Sequence, residues 1–159
     1  MSNLEFFKNC WLNELAATTN IIKATPNDNL GYKPHPVNRS AKEIIEHLVG
    51  HSFDLVTIAS SNSCDETLVY DFNSVEIAAD VYTKKSGELM DVLNLLTEEQ
   101  WENEEVELTI NGASFITLKR SQMMWFFFFD IIHHRGQLSA YVRPMGGKNP
   151  IVYGHSADA

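Results

Sequence analysis

The N-terminal part of the chain predicts two amphipathic helices, because its apolar residues recur at intervals of three and four. The first helix is expected to begin at Ser2, which can form a capping box with Glu5, and to end before Pro26. Ser40 and Glu43 offer a second capping box at the start of the next helix. A loop rich in proline is expected between the two helices.

The middle of the chain predicts a third helix followed by a β-hairpin. Asn73 and Glu76 can cap a helix whose apolar repeat continues to Leu96. Thr97 can cap one further short helical turn. The Asn-Gly pair at 111–112 is a strong hairpin-turn signal, and β-tolerant segments lie on both sides of it.

The last long helix is predicted over 119–143 and contains the most apolar segment of the chain. Its centre, from Phe126 to Gln137, reads FFFFDIIHHRGQ. Four helices with one long connection predict an all-α fold, a helical bundle with a small β-hairpin before the last helix. No repeat or composition shift divides the sequence, so we expect a single domain over 1–159.

Charge and composition narrow the classes of function. The net charge of −9 disfavours nucleic acid and anionic membranes as partners, because no basic stripe is present to release counterions from phosphates. No apolar run approaches the roughly 18 residues of a membrane span, and no signal peptide is recognised. The two cysteines, Cys10 and Cys64, have no CxxC spacing, so we expect a reduced, cytoplasmic protein.

Polar residues inside the last helix carry the strongest chemical signal. Asp130 and His134 are four residues apart, so they lie one turn apart on one helix face, a spacing that suits metal chelation. Gln137 and Tyr141 continue that face. A carboxylate among phenylalanines is costly to bury unless it is paired, hydrogen-bonded or bound to an ion.

The second helix offers partners for these two residues. His47 and His51 form an HxxxH pair, which is a weak metal signal by itself, and an isolated histidine on an apolar face is usually a hydrogen-bonded core residue. Sites in helical bundles are built from facing helices, so either histidine is a candidate partner for Asp130 and His134.

Several motifs together resemble the DinB superfamily, which includes metal-dependent thiol transferases. The C-terminal signature is similar in His134-Arg-Gly-Gln-Leu, Tyr141-Val-Arg, and Pro150 with Tyr153-Gly154. The first loop and second helix are similar in Tyr32-Lys-Pro-His-Pro, Arg39-Ser40 and His47.

The resemblance implies an up-down-down-up four-helix bundle, often a homodimer, that holds a divalent metal with three histidines. One histidine comes from the second helix and two, spaced HxxxH, from the last. The corresponding residues here are His47 and His134, while the remaining position is Asp130, a departure from the family pattern. The ion is expected to be zinc, with nickel, iron and manganese as the other candidates.

The departure at Asp130 leaves three interpretations open. In the first, Asp130 is itself a ligand, which shifts the preference of the site towards harder ions. In the second, Asp130 is hydrogen-bonded to a ligand, and His51 or His133 completes the set. In the third, the site no longer binds metal. His133 is adjacent to His134, so their rings point about 100° apart and do not easily share an ion.

The function that the resemblance implies is transfer of a small-molecule thiol to an electrophilic substrate at a divalent metal. A metal-dependent hydrolase and a non-enzymatic metal-binding or stress-related protein are the alternatives. Gln137, Tyr141, His51 and His133 are candidate substrate-binding or ligand-supporting residues. Arg135 is expected to form a structural salt bridge with an acidic residue of the third helix.

Overall fold

Four long helices make up most of the protein in a computed structural model, which describes residues 1–158. They are α1 (Asn3–Ala24), α2 (Ala41–Ser60), α3 (Val75–Leu93) and α5 (Arg120–Val142). A short helix, α4 (Glu98–Asn103), precedes the last two strands of a three-stranded sheet in the sequence. Over the described residues 1–158, no helix is both long enough and apolar enough to cross a membrane.

The predicted helix starts are confirmed for three helices and wrong for one. Ser2 and Ser40 cap α1 and α2 by accepting hydrogen bonds from backbone amides, and Thr97 caps α4. The third helix is capped by Ser74 rather than Asn73, because the Ser74 hydroxyl accepts a hydrogen bond from the backbone amide of Ile77. Asparagine and serine cap helices about equally well, so the local sequence does not distinguish the two positions.

The small sheet contains the predicted hairpin and one strand that was not predicted. Strands β2 (Glu105–Ile110) and β3 (Ala113–Lys119) are antiparallel, and Asn111 and Gly112 take positive φ values of 52° and 75° in the turn. Strand β1 (Ser63–Asp65) pairs with β2 in parallel. The fold is therefore mostly helical with a three-stranded sheet, and the all-α prediction was too narrow.

The long helices surround a shared apolar core. Both α1 and α2 pack against α3 and α5. On α5, Phe127 and Phe128 are buried in this core, while Phe126 and Phe129 are on the opposite side and are mostly exposed. The third helix buries Tyr82 and leaves Ile77 half exposed.

A buried arginine at the start of α5 joins the helices to the sheet. The guanidinium of Arg120 donates hydrogen bonds to the carbonyl oxygens of Ile58 and Ser61 at the end of α2. It also donates to the side chain of Asn62, at 2.7 Å, and to the carboxylate of Glu104, at 2.5 Å. These bonds satisfy carbonyl groups that the helix leaves without intrahelical partners.

The segment after β1 lies directly against α2 at Gly50. A Cβ atom at this position would come within 2.5 Å of the carbonyl oxygen of Thr67. The backbone amide of Thr67 also donates a hydrogen bond of 3.0 Å to the carboxylate of Asp54, one turn further along α2. Only glycine permits this approach, and the segment is consequently held close to the helix.

We predict that Gly50→Ala destabilises the protein by about 2 kcal/mol, because the added methyl group must displace Thr67. Gly87→Ala is the matched control, since it also replaces a glycine inside a helix but nothing lies within 4 Å of the new methyl group. We expect the control to raise the free energy of unfolding by about 0.5–1 kcal/mol through helix propensity. Urea denaturation measures both, and equal effects of the two substitutions would contradict the packing argument.

Candidate metal centre

Helices α2 and α5 bring three histidines to one carboxylate oxygen. The Nε2 atoms of His47, His51 and His134 lie 3.1, 2.9 and 3.3 Å from Oδ2 of Asp130. Each helix contributes two of these residues at a spacing of four, which places both on the same face one turn apart. The facing stripes therefore form a cluster where the two helices pack.

Two of the rings are oriented by a second hydrogen bond on their far side. His51 Nδ1 donates to Oδ2 of Asp54 over 3.2 Å, and His134 Nδ1 donates to Oε1 of Gln137 over 2.8 Å. Both acceptors are oxygens without a proton to give, so the proton of each ring must be on Nδ1. Such outer hydrogen bonds commonly fix the tautomer of metal-binding histidines.

This arrangement requires positive charge at its centre. In their neutral forms, His51 and His134 direct the lone pair of Nε2 towards Asp130, which is itself only an acceptor. Acceptors facing each other at about 3 Å repel unless a proton or a cation lies between them. The cluster can therefore bind extra protons on the imidazoles or a metal ion among the three rings and the carboxylate.

The electrostatics of the cluster favour a charged carboxylate. Burial works against the charged form of Asp130, but hydrogen bonds that His134, His47 and His51 donate when their Nε2 atoms are protonated outweigh it and hold the pKa of this carboxyl far below its usual range. Burial also lowers the pKa of His47. The pKa of His51 is raised, because its hydrogen bonds to Asp130 and Asp54 more than offset the effect of burial.

The cluster is reached from the side of Asp130. One third of the Asp130 side chain is exposed, whereas the side chains of His47 and His51 are 8% and 4% exposed. The His134 side chain is intermediate, at 12%. The phenyl ring of Phe127 closes the inner side, with its centroid 4.6 Å from that of His51. A small molecule can therefore approach the carboxylate and His134 but not the far side of His51.

The donor atoms match those that divalent transition metals bind. Ligand atoms of His47, Asp130 and His134 all lie within 4.8 Å of one another. Two imidazole nitrogens with one carboxylate oxygen are a common ligand set for zinc and for iron. These residues therefore fit a divalent ion as a group, with His51 close enough to Asp130 to orient it.

A second group of possible ligands includes a residue that the sequence did not single out. Ligand atoms of His47, His51 and Glu66 also lie within 4.8 Å of one another. Glu66 follows β1, and burial together with Asp54 and Asp130 raises the pKa of its carboxyl group. Its position depends on the pairing of β1 with β2, for which the local sequence gives little signal.

The other candidate residues lie around the cluster rather than in it. His133 is exposed, and its Nε2 accepts a hydrogen bond from the amide of Gln137 over 2.9 Å. Gln137 thus bridges the two adjacent histidines. The hydroxyl of Tyr141 donates to the carbonyl oxygen of Arg39 over 3.3 Å and so anchors the proline-rich loop beside α5.

Arg135 has a structural role, but its partner differs from the predicted one. Its guanidinium is buried and donates hydrogen bonds to Glu14 and Tyr153. The Tyr153 hydroxyl in turn donates to Glu14 over 2.7 Å. The expected partner on the third helix was wrong, because α5 presents this residue to α1. The network ties the C-terminal segment to both helices.

Comparisons with known proteins support this fold. The chain is 26% identical over 145 residues to the uncharacterized protein YjoA of Bacillus subtilis, and the match covers 86% of each chain. The crystal structure of a DinB-like protein, YjoA of B. subtilis, has a TM-score of 0.71, with 20% identity over 94% of this chain and 99% of that one. A DinB-like protein from Bacillus cereus has a TM-score of 0.73, with 19% identity over 94% and 97% of the two chains.

These two solved structures share the fold of this chain, and the family is identified from the sequence. A model of the DinB family matches residues 1–158, which is nearly the whole chain. The resemblance seen in the HRGQ motif and in the first loop therefore extends through the intervening helices. The protein belongs to the DinB family.

Proposed function

We propose that this protein is a divalent-metal-dependent enzyme that transfers a small thiol to an electrophilic substrate. One observation carries the proposal: the imidazoles of His51 and His134, protonated on Nδ1, face the carboxylate of Asp130 at 2.9 and 3.3 Å. A half-buried acceptor cluster of this kind is stabilised by a cation. Membership of the DinB family supports the metal-dependent chemistry.

His47, Asp130 and His134 would hold the ion, and zinc is the expected one. When bound, it would supply Lewis acidity, which lowers the pKa of a thiol held beside it. Gln137 keeps the imidazole of His134 in the orientation that binding requires. The exposed part of Asp130 lies where a small molecule can enter.

The protein's own thiols are poorly suited to act as the nucleophile. Cys64 is buried, and burial together with the nearby carboxylate of Asp54 raises the pKa of its thiol to about 12. Burial and Glu14 also raise the pKa of Cys10, which lies on α1 away from the cluster. A thiolate for transfer would therefore be supplied by a second substrate, which favours a small-molecule thiol.

A structural metal site is the second candidate, and it also rests on a specific observation. The imidazole of His51 is the closest of the three to Asp130, at 2.9 Å, so it is a candidate fourth ligand for the same ion. A closed set of four protein ligands leaves no position for a substrate. The two candidates therefore differ in whether an added thiol can reach the ion.

We predict that His134→Ala weakens zinc binding by at least about 100-fold, since it removes a ligand. His133→Ala is the matched control, because it removes the adjacent imidazole, which is exposed and points away from Asp130. The control should change the zinc dissociation constant less than about threefold. Competition with a chromophoric chelator measures both constants. Equal losses in the two variants would contradict the ligand assignment.

Cobalt substitution distinguishes the enzyme from the structural site. If thiol transfer is the function, a small thiol added to the cobalt-loaded protein should produce a sulfur-to-metal charge-transfer band and release a proton. The same protein should consume thiol in the presence of an alkyl or aryl electrophile. A visible spectrum that no thiol perturbs, with unchanged cobalt content, would indicate a closed structural site and overturn the enzymatic proposal.

The raised pKa of His51 predicts how the metal-free protein responds to pH. Its folded-state pKa lies above the unfolded value of 6.5, so its stabilising effect is complete below that value and is lost as pH rises through the folded pKa. The groups facing it are Asp54, Asp130, His47 and Glu66. In chelator, the difference in unfolding free energy between wild type and His51→Gln should shrink from pH 6 to pH 9.

Urea denaturation at fixed pH values measures this difference. Asp130 contributes with the opposite sign, because its lowered pKa gives stability above 3.8 that is lost only in more acidic solution. The pH range from 6 to 9 therefore isolates the imidazoles. A difference that stays constant or grows towards pH 9 would contradict the assignment of a raised pKa to His51.

We also propose that the long helices follow the up-down-down-up order of the resembling family. Helices α2 and α3 pack against each other although β1 and an extended segment separate them in sequence. A connection of that length allows two consecutive helices to run in the same direction. The contacts of α1 and α2 with both α3 and α5 are compatible with this order.

We further propose a homodimer formed through an aromatic face of α1 and α5. Phe6, Phe126 and Phe129 are each at least half exposed there, beside a groove of about 480 Å³ that Trp125 also lines. Exposed aromatic side chains grouped in this way are typical of protein interfaces.

Phe129→Glu should weaken the dimer at least about tenfold, because a carboxylate would be buried in an apolar interface. Leu95→Glu is the control, with the same charge change at an exposed leucine after α3. It should leave the dimer unchanged. Sedimentation velocity gives the association constants, and a wild-type protein that is monomeric at high micromolar concentration would contradict the proposal.

A further inference from the structure

We propose that Glu66 and His51 form a second divalent-cation position, directly beside the position formed by His47, Asp130 and His134, with the carboxylate of Asp130 between the two. The inference rests on the proposed metal-dependent function and adds to it, since it makes the centre able to hold two ions. Glu66 is then a ligand and not simply a residue at the edge of the site.

The geometry gives two overlapping groups of ligands. In each group, one ligand atom from every residue lies within 4.8 Å of the others, a separation compatible with coordination of one ion. His47 belongs to both groups, but a neutral imidazole has one free lone pair and can bind only one ion. Asp130 and His134 occur only in the first group, and His51 and Glu66 only in the second. Oδ2 of Asp130 is within 3.3 Å of all three histidine Nε2 atoms, so this oxygen lies at the boundary between the two positions.

The backbone is fixed both at Glu66 and at the residue that follows it. The backbone amide of Glu66 donates a hydrogen bond of 2.9 Å to the carbonyl oxygen of Thr109 in β2. The next residue, Thr67, is fixed by its contact with Gly50 and by its hydrogen bond to Asp54. Within residues 1–158, the carboxylate of Glu66 has no hydrogen-bonding or ion-pairing partner, so it is free to bind a ligand.

Local charge makes a second ion bind more weakly than the first. Three carboxylates, those of Asp54, Glu66 and Asp130, lie against the histidines. In the described part of the chain, none of these carboxylates forms an ion pair with a lysine or an arginine, but the cation of Arg39 is near enough to partly offset the raised pKa of Glu66 and to contribute to the lowered pKa of His47. With neutral imidazoles, one divalent ion would leave a net charge of −1 on the carboxylates, which Arg39 offsets. The second ion is therefore held mainly by its ligands and binds more weakly than the first.

His51 explains why the second position is distinct. Its Nδ1 is committed to Asp54, so only Nε2 can bind an ion. His51 is grouped with Glu66 and not with His134, which assigns it to the second position. Asp54 accordingly orients a ligand of the second position, as Gln137 orients His134 in the first.

Titration of the full-length metal-free protein with zinc tests the proposal, with bound metal counted by elemental analysis after dialysis. Wild type should bind two ions per chain, the second more weakly. Glu66→Gln keeps the shape of the side chain and removes its charge, so it should lose the second step or weaken it at least about tenfold while the first changes less than about threefold. Glu99→Gln, an exposed carboxylate on α4, is the control and should retain both steps.

Each of the following outcomes contradicts the second cation position. Together they show whether the proposed metal-dependent function fails with it. A single step in wild type that Glu66→Gln leaves unchanged removes the second position but keeps the metal-dependent function. A single step that Glu66→Gln weakens assigns Glu66 to the same ion as His134 and also overturns the second position. No binding step in any protein overturns both proposals. Circular dichroism of each variant confirms that folding is intact.

Discussion

The convergence of three imidazoles on the carboxylate of Asp130 is the constraint on which the site depends. Hydrogen bonds from Asp54 and Gln137 fix the protons of two rings on the far nitrogens, so lone pairs face an oxygen that can only accept. Such a cluster is unstable without positive charge, and protons and divalent ions compete to provide it. The packing of α2 against α5 therefore determines both which residues can bind an ion and the positive charge that the cluster requires.

The rest of the fold keeps that contact in register. Arg120 joins the end of α2 to the start of α5 at one end of the helix pair. Arg135 joins α5 to α1 and to the C-terminal segment through Glu14 and Tyr153. Because a buried arginine that loses its partners is strongly destabilising, each network resists sliding of α5 along its neighbours. Two stripes of ligands can meet only if such sliding is prevented.

Much of this arrangement could be predicted from sequence, because helix spacing is local information. The positions of His47, Asp130 and His134 on facing stripes follow from a period of 3.6 residues and from the resemblance to the DinB family. Glu66 could not be predicted, since a three-residue strand that pairs in parallel with β2 depends on tertiary contacts. The partner of Arg135 was misassigned for a similar reason: a helical period gives the face of a residue but not which neighbour that face meets.

The close approach of Thr67 to Gly50 has a consequence for how the centre opens. The amide of Thr67 holds Asp54, and Asp54 holds the ring of His51, so the shortest strand of the sheet is linked to the centre through two hydrogen bonds. Separation of this segment from α2 would release both bonds together and expose the inner side of the cluster to solvent. The sheet edge and the inner side of the centre thus form a single cooperative unit of local unfolding.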